Sequence, residues 1–458
     1  MNSKTFKLTF HGGAGSVTGA NFLLEGEDVK ILVDCGLFQG GEFDEEKNRE
    51  PFAYTPKSID ILMVTHAHTD HIGRIPKLVK EGFEGIIYST PGTKELSEAM
   101  LQDSVGVFES DKRQHGTKPL YGREDVDRTM SLWKTVPYHT TTSLQGGLQF
   151  NFKDAGHILG SSIIELTQKG GNRKIVFSGD LGNSPSALLR DTEFIDDATY
   201  MIMESVYGDR KHESVAERTA ILEDIIENTI NKGGALLIPA FSIERTQTLL
   251  YEINNLVENG RIPKVPVFLD SPLAIKITAI YKKRIKNFKN EVQEEIQSGD
   301  DIFDFPNLKL TKTADESRKI EQIPNPKIII AGSGMSSGGR IQFHEKKHLS
   351  DPKSTLLLVG YQSVGSIGRR IQDGAKEVTI KNEVIPIRAK IVNISGYSAH
   401  RDTDGLFDFV SHSSRTLEQV FVAMGEEKSA LHMVQRIRDY LSVQAISPKQ
   451  GQQFDIAL

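Results

Sequence analysis

The sequence predicts an α/β protein whose first domain is interrupted by a large insertion, and three observations predict it. Short strand-like runs punctuated by glycine fill roughly the first 200 residues. After Tyr207, helical periodicities alternate with wholly apolar runs, the pattern of helices covering a mostly parallel sheet. Near Ala389 the chain returns to a strand and a closing helix. At 458 residues it is too long for one ordinary core.

Taken in order, strand-like runs occur at 7–10, 21–24, 30–33, 59–64, 85–88, 149–152, 162–166 and 174–177, with helices over 91–108 and 125–133. Ser214 followed by Glu217 is a capping-box signature, and Ile221, Leu222, Ile225, Ile226 and Ile230 continue it at helical spacing. Gly233 and Gly234 end that helix. The run ALLIP at 235–239 reads as a buried strand, a helix follows over 243–258, and strands are expected at 265–269, 327–331 and 355–359. The segment AKIVNIS from Ala389, the run 419–423, a helix over 429–441 and a short tail complete the chain. The domain expectation is therefore 1–207 for the first part, 208–388 for a Rossmann-like insertion, and 389–458 for the completion of the first domain.

Composition excludes several classes. Hydrophobic residues at 38% and charged residues at 25% describe a globular chain. The net charge of −6 gives no global basic signature, so any nucleic-acid contact has to come from a local patch. A single cysteine, Cys35, excludes an internal disulfide framework and suits a reducing cytosol. The N-terminal TFKLTF lacks a signal-peptide core, and no stretch approaches the ~20 apolar residues of a membrane span. The expectation is a cytoplasmic protein with no membrane partner.

The strongest chemical signal is ILMVTHAHTDHIG. An apolar run delivers a loop bearing His66, His68, Asp70 and His71. Two histidines one residue apart grip one ion from the same side of a turning loop, and Asp70 and His71 come next for a second. Imidazole and carboxylate are the ligands zinc takes where thiols are absent. As unrelated polar residues, three histidines and an aspartate so close together concentrate desolvation and repulsion without return.

This HxHxDH run resembles the second motif of the metallo-β-lactamase superfamily, and the resemblance extends along the chain. Asp34 in LVDCGLFQG matches the aspartate that supports the ligand loop. His157 in DAGHILGSS matches a further ligand, and Asp180 in VFSGDLG the carboxylate shared by two metals. MESVYGD with Glu204 and SGYSAHRD with His400 resemble the A and B motifs of the β-CASP branch, which comprises nucleases. PAFSIERTQ, LDSPLA, GSGMSSGGR and SIGRRIQDG lie between them and are similar to its RNA-cleaving members. Those include bacterial and archaeal ribonucleases and the endonuclease subunit of the pre-mRNA 3′-end cleavage complex.

The resemblance implies a metallo-β-lactamase αββα sandwich with an inserted Rossmann-like β-CASP domain. It implies two zinc ions, with manganese as an alternative, held by His66, His68, Asp70, His71, His157 and Asp180, and a catalytic set of Asp70, Glu204 and His400. The implied activity is hydrolysis of single-stranded RNA, endonucleolytic and with a 5′-to-3′ exonucleolytic mode open to it; a homodimer is one assembly open to it. A DNA nuclease of the same branch and a weakened RNA-binding scaffold are the competing readings. Arg245, Ser336, Arg340, Arg369 and Arg370 are candidate RNA contacts, because glycine-rich loops offer backbone N–H groups and arginine a fork to phosphate.

One position departs from the family. RNA-cleaving members place a seventh metal-ligating histidine before a GE pair, and here QVFVAMGEEKSA puts Met424 there. A thioether is a poor ligand for zinc. The second ion is therefore expected to bind more weakly. His432, eight residues on, is a distant substitute.

Overall fold

A computed structural model describes residues 4–40 and 46–458. The chain divides into two units: residues up to 186, 190–211 and 400–458 form the first, while 187–189 and 212–399 form the second.

The first unit contains two seven-stranded sheets. One runs Gln453–Ala457, Thr5–Gly12, Asn21–Glu25, β1 (Lys30–Val33), β2 (Ile61–Met63), Ile86–Ser89 and Trp133–Thr135. The other runs Thr142–Ser143, Leu148–Asp154, Ser162–Gln168, β3 (Lys174–Phe177), β4 (Tyr200–Met203), β5 (Gln419–Val422) and Gln444–Ile446. Each sheet begins with antiparallel pairs and becomes parallel from β1 and from β3 onward.

Strand alternation builds the sandwich. Phe6, Leu8 and Phe10 from one sheet share a core with Phe150, Phe152, Ile175, Phe177, Ile202 and Phe421 from the other. The intervening residues Val176, Met201, Met203, Val420 and Val422 point the opposite way, against Leu406, Phe409, Met433 and Ile437 of helices Thr403–His412 and Glu427–Leu441. Period-two side chains thus give the second sheet two apolar faces. The closing segment expected as a tail is a strand, paired antiparallel with the first strand from Thr5 opposite Ala457 to Thr9 opposite Gln453.

The second unit holds a six-stranded parallel sheet in the order Leu308–Leu310, Val267–Asp270, Lys327–Ala331, Ala235–Pro239, Thr355–Leu358, Lys390–Asn393. Its central strands are wholly buried, as their apolar runs require. The helix Val215–Asn231 carries the Ser214–Glu217 capping box, and Arg245–Glu258 follows the strand Ala235–Pro239. The boundary expected at 388/389 is corrected here. The strand Lys390–Asn393 pairs with Thr355–Leu358, so the return to the first unit comes between Ala399 and His400. An edge strand has no signature that names its sheet, because the pairing partner is remote in sequence.

Candidate metal centre

The residues following β1 to β5 converge in the first unit. Asp34 leaves β1 with φ of 58°, a left-handed conformation that aspartate tolerates better than most residues. Its carboxylate accepts from Thr65 N–H and Thr65 Oγ–H, both at 2.8 Å, and lies 2.7 Å from His71 Nδ1. The Thr65 hydroxyl has given its proton to Asp34, so it accepts from His66 Nδ1–H at 3.0 Å. These bonds fix the tautomers and leave Nε2 of both His66 and His71 bare and turned inward.

His66 Nε2 lies 3.1 Å from His68 Nδ1 and 3.3 Å from Asp180 Oδ2. His157 Nε2 lies 3.2 Å from the same His68 nitrogen and 3.6 Å from the same Asp180 oxygen. One ligand atom from each of His66, His68, His157 and Asp180 falls within 4.8 Å of the others. Tetrahedral zinc, with bonds of about 2.0–2.1 Å to nitrogen, needs nitrogen–nitrogen edges of about 3.3–3.4 Å.

Asp180 turns its other oxygen to a second group. Oδ1 lies 3.4 Å from His71 Nε2, which lies 3.8 Å from Asp70 Oδ2. His71 Nε2 and Asp180 Oδ1 are buried without a hydrogen-bond partner. Facing each other in a buried site, these two atoms fit a cation or, in its absence, a proton on His71. A third group joins Asp180 to Glu204 and His400. His400 Nδ1 is 3.1 and 3.2 Å from the two Glu204 oxygens and 3.9 Å from Asp180 Oδ2. Glu204 also accepts from Leu181 N–H at 2.6 Å.

Charge balance points the same way. Among the described residues, Asp34, Asp70, Asp180 and Glu204 ion-pair with no lysine or arginine, only with histidines of the site. Burial holds the His66, His68 and His157 imidazoles below their ordinary pKa, keeping them neutral and able to donate lone pairs. Burial works against charging His71 too, but Asp180, Asp34 and Asp70 overcome it and raise it well above its usual value. The site demands positive charge at the Asp70–His71–Asp180 group.

Local packing explains how the loops hold this shape. Gly36 lies so close to the Asp70 carbonyl that a Cβ there would overlap it. Ser161 Oγ accepts from His157 N–H at 3.0 Å and Ile158 N–H at 3.2 Å, capping the turn that presents the imidazole. Thr65, Ser161 and the Leu181 amide were missed by sequence reasoning. A serine or threonine beside a ligand is the one signal available, and it is common in any turn.

Met424 belongs to none of these groups. It is buried, with φ of 42°, in the core with Phe22 and Phe177; its sulfur lies against Gly13, and its N–H donates to the Gly13 carbonyl at 2.6 Å. His432 Nδ1 is 2.8 Å from the Gly208 carbonyl, a bond that employs the ring away from the ligand groups.

The candidate RNA contacts lie in the second unit, and most are already engaged. Arg245 is buried and pairs with Glu244 at 3.0 Å. Ser336 is fully buried and donates to Glu345 at 2.5 Å. Arg340 binds Asp270 at 2.7 Å and the carbonyls of Thr311 and Lys312. Arg369 pairs with Asp373, and Arg370 is exposed. Arg245 and Ser336 are buried and Arg340 is half-buried, so in this structure these three candidate RNA contacts are engaged within the fold. Ser336 and Arg340 satisfy buried carboxylates or loop carbonyls, and Arg245 pairs with Glu244 through Nη1 while its Nε is buried without a partner, demands that the local sequence does not display.

Comparison with known proteins agrees with this architecture. Residues 23–208 match a metallo-beta-lactamase superfamily domain, 246–371 a Beta-Casp domain, and 384–448 a Zn-dependent metallo-hydrolase RNA specificity domain. The chain is 36% identical to Ribonuclease TTHA0252 of Thermus thermophilus, covering 92% of this chain and 93% of that protein. It is 33% identical to an RNase J-like protein of Methanocaldococcus jannaschii, covering 97% and 98%. It is 32% identical to the transcription termination factor FttA of Methanosarcina mazei, covering 96% of this chain and 70% of that one. A crystal structure of a protein of unknown function from Enterococcus faecalis V583 shares the fold, with a TM-score of 0.54 at 12% identity over 99% of this chain and all of that one. With near-complete coverage by relatives above 30% identity, the chain belongs to the metallo-β-lactamase superfamily, in its β-CASP branch.

Proposed function

We propose that this protein is a metal-dependent ribonuclease that hydrolyses phosphodiester bonds of single-stranded RNA, cutting internally and with a 5′-to-3′ exonucleolytic mode. The observation that carries the reading is the single carboxylate of Asp180, which faces His66 and His157 with one oxygen and His71 with the other. Its relatives named as ribonucleases, and the RNA specificity domain match over 384–448, support RNA as the substrate.

In this reading His66, His68 and His157 would hold one zinc ion and Asp70 and His71 a second, with Asp180 available to both groups. Bound as a pair, the ions would lower the pKa of a water and offset the charge that develops on the phosphate. The chain's own residues do the rest. Glu204 keeps the His400 imidazole oriented through Nδ1, so that His400 hydrogen-bonds a non-bridging phosphate oxygen or gives a proton to the departing 3′-oxygen. Glu204 and Asp180 are buried, which strengthens their contacts with the part-exposed His400. The reading places the protein in the cytoplasm.

The test is incubation of zinc- or manganese-loaded protein with end-labelled single-stranded RNA and DNA of one sequence, beside an Asp70→Ala–His71→Ala variant. RNA fragments from the wild type alone are expected. No fragments with either ion overturns the catalytic reading, and preferential cleavage of the DNA replaces it with a DNA nuclease. Light scattering on the same sample distinguishes monomer from homodimer.

A further inference from the structure

Arg401 follows His400 directly and has no part in the chemistry described above. It is 5% exposed, yet among the described residues no carboxylate lies within ion-pair distance of its guanidinium. Leaving a buried charge without a counter-ion is costly unless carbonyls satisfy it in a defined geometry. That is how it is held. Nε donates to the Gly182 carbonyl at 3.1 Å, Nη1 donates to the Gly405 carbonyl at 3.1 Å, and the guanidinium lies 5.2 Å from the Phe194 ring centroid. Burial lowers its pKa from the ordinary arginine value, against the pull of Asp408, Asp191, Asp402 and Glu204, which favour the charge from beyond ion-pair distance. A Cβ at Gly405 would stand 3.3 Å from Arg401 Cδ, so the arginine stem packs closely on that residue.

Those contacts join two turns that each carry a functional residue. Arg401 N–H donates to the Leu181 carbonyl at 2.9 Å, and His400 bridges to Gly182 in antiparallel fashion. The amide of the same Leu181 donates to Glu204 at 2.6 Å. The segment after Asp180 is thus gripped by Glu204 on its N–H side and by Arg401 on its carbonyl side. Between them stands His400, 3.9 Å from Asp180 and 3.1 Å from Glu204.

We propose that Arg401 is a positioning residue for His400: its guanidinium fork clamps the His400 turn onto the Asp180–Gly182 turn and so sets the reach of the imidazole to Asp180 and Glu204. The fork matters because one head must reach two carbonyls in different directions, which an ammonium on a single stem cannot reproduce. The candidate ligands His66, His71 and His157 are held by Thr65, Asp34 and Ser161, whereas Asp180 stands at the start of the clamped turn, so zinc content is measured beside kcat to separate an effect on His400 from one on ion binding.

The kinetic arm of the test rests on the ribonuclease reading; a spectroscopic arm does not. Arg401→Ala and Arg401→Lys are compared with the wild type for zinc content, Tm, kcat and KM on single-stranded RNA, with and without millimolar guanidinium. The proton on His400 Nδ1, hydrogen-bonded to Glu204, is followed by NMR in metal-free protein and assigned by its loss in His400→Gln. Arg401→Ala is expected to keep its zinc and KM, to lose kcat by about 10- to 100-fold, as for a misplacement of about 1 Å, and to recover part of it with guanidinium. Arg401→Lys is expected to lie between the two, and the His400 proton signal to broaden or shift in both variants. Unchanged kcat, or a fall in kcat matched by loss of zinc and of Tm without guanidinium rescue, overturns the proposal. Should the wild type itself fail to cleave RNA, the ribonuclease reading falls, while an unaltered His400 signal in Arg401→Ala still overturns the positioning role.

Discussion

Asp34 Oδ2 sits 2.7 Å from His71 Nδ1, both side chains 1% exposed, and this contact decides which nitrogen His71 can offer an ion. The same carboxylate takes both donors of Thr65, which in turn orients His66. One residue outside the three candidate groups therefore sets the tautomers of two histidines in different groups.

Replacing it tests that arrangement. Asp34→Asn keeps the size but presents an amide to His71, which favours the wrong tautomer. Metal affinity is expected to fall by about 10- to 100-fold, the usual range for such partners, with the Asp70–His71 ion affected most. Competition with a chromophoric chelator measures it, and unchanged affinity for both ions contradicts the assignment.

The Met424 position makes a separate prediction. Its sulfur turns to Gly13, leaving Asp70, His71 and Asp180 as the second group. Histidine accepts the positive φ of 42° found there better than most residues. Met424→His is therefore expected to fill the second zinc site at lower free zinc and to raise turnover. Equal zinc stoichiometry across a titration of both proteins would sink this.

His400 gives the metal-free protein a pH signature. Burial opposes its protonation, but Glu204 and Asp180 prevail and push its pKa up to about 9. A folded-state pKa above the unfolded value means that the folded state binds the proton more tightly. The stabilisation is complete below about 6.5, the unfolded value, and is lost as pH rises through about 9. Chelator-treated wild type is expected to lose Tm across that window, and His400→Gln to show a shallower slope. Parallel slopes would mean that the proton is held elsewhere.

Glu345 in the second unit carries the opposite kind of strain. It is fully buried, one oxygen accepts from Ser336, the other has no partner, and burial pushes its pKa up to about 7. The carboxylate is the disfavoured form, so its cost is absent below the unfolded pKa near 4.3 and grows as pH rises to about 7. Glu345→Gln is expected to match the wild type near pH 4 and to melt higher at pH 8. A constant difference in Tm across this range would refute the titration.

The sequence by itself determined which loop carries the candidate metal-holding residues and that a parallel α/β unit interrupts the first one. His66, His68, Asp70 and His71 fall within one short loop, where spacing alone brings the ligands close, and the apolar runs of the second unit name its parallel sheet. The same locality made the Ser214–Glu217 cap legible. Tertiary structure decided everything that depends on approach between distant segments. Asp180 serves two groups only because the end of β3 meets the end of β2. The strand Lys390–Asn393 belongs to the second sheet only because of its partner in register, and Arg340 is spent on Asp270 rather than left at a surface. Arg401 is the clearest case. In sequence it is one charged residue after a histidine, whereas in the fold its place is set by the nearby Gly405 carbonyl and by the Gly182 carbonyl, and the bond to Gly182, 219 residues away, leaves no pattern in either segment.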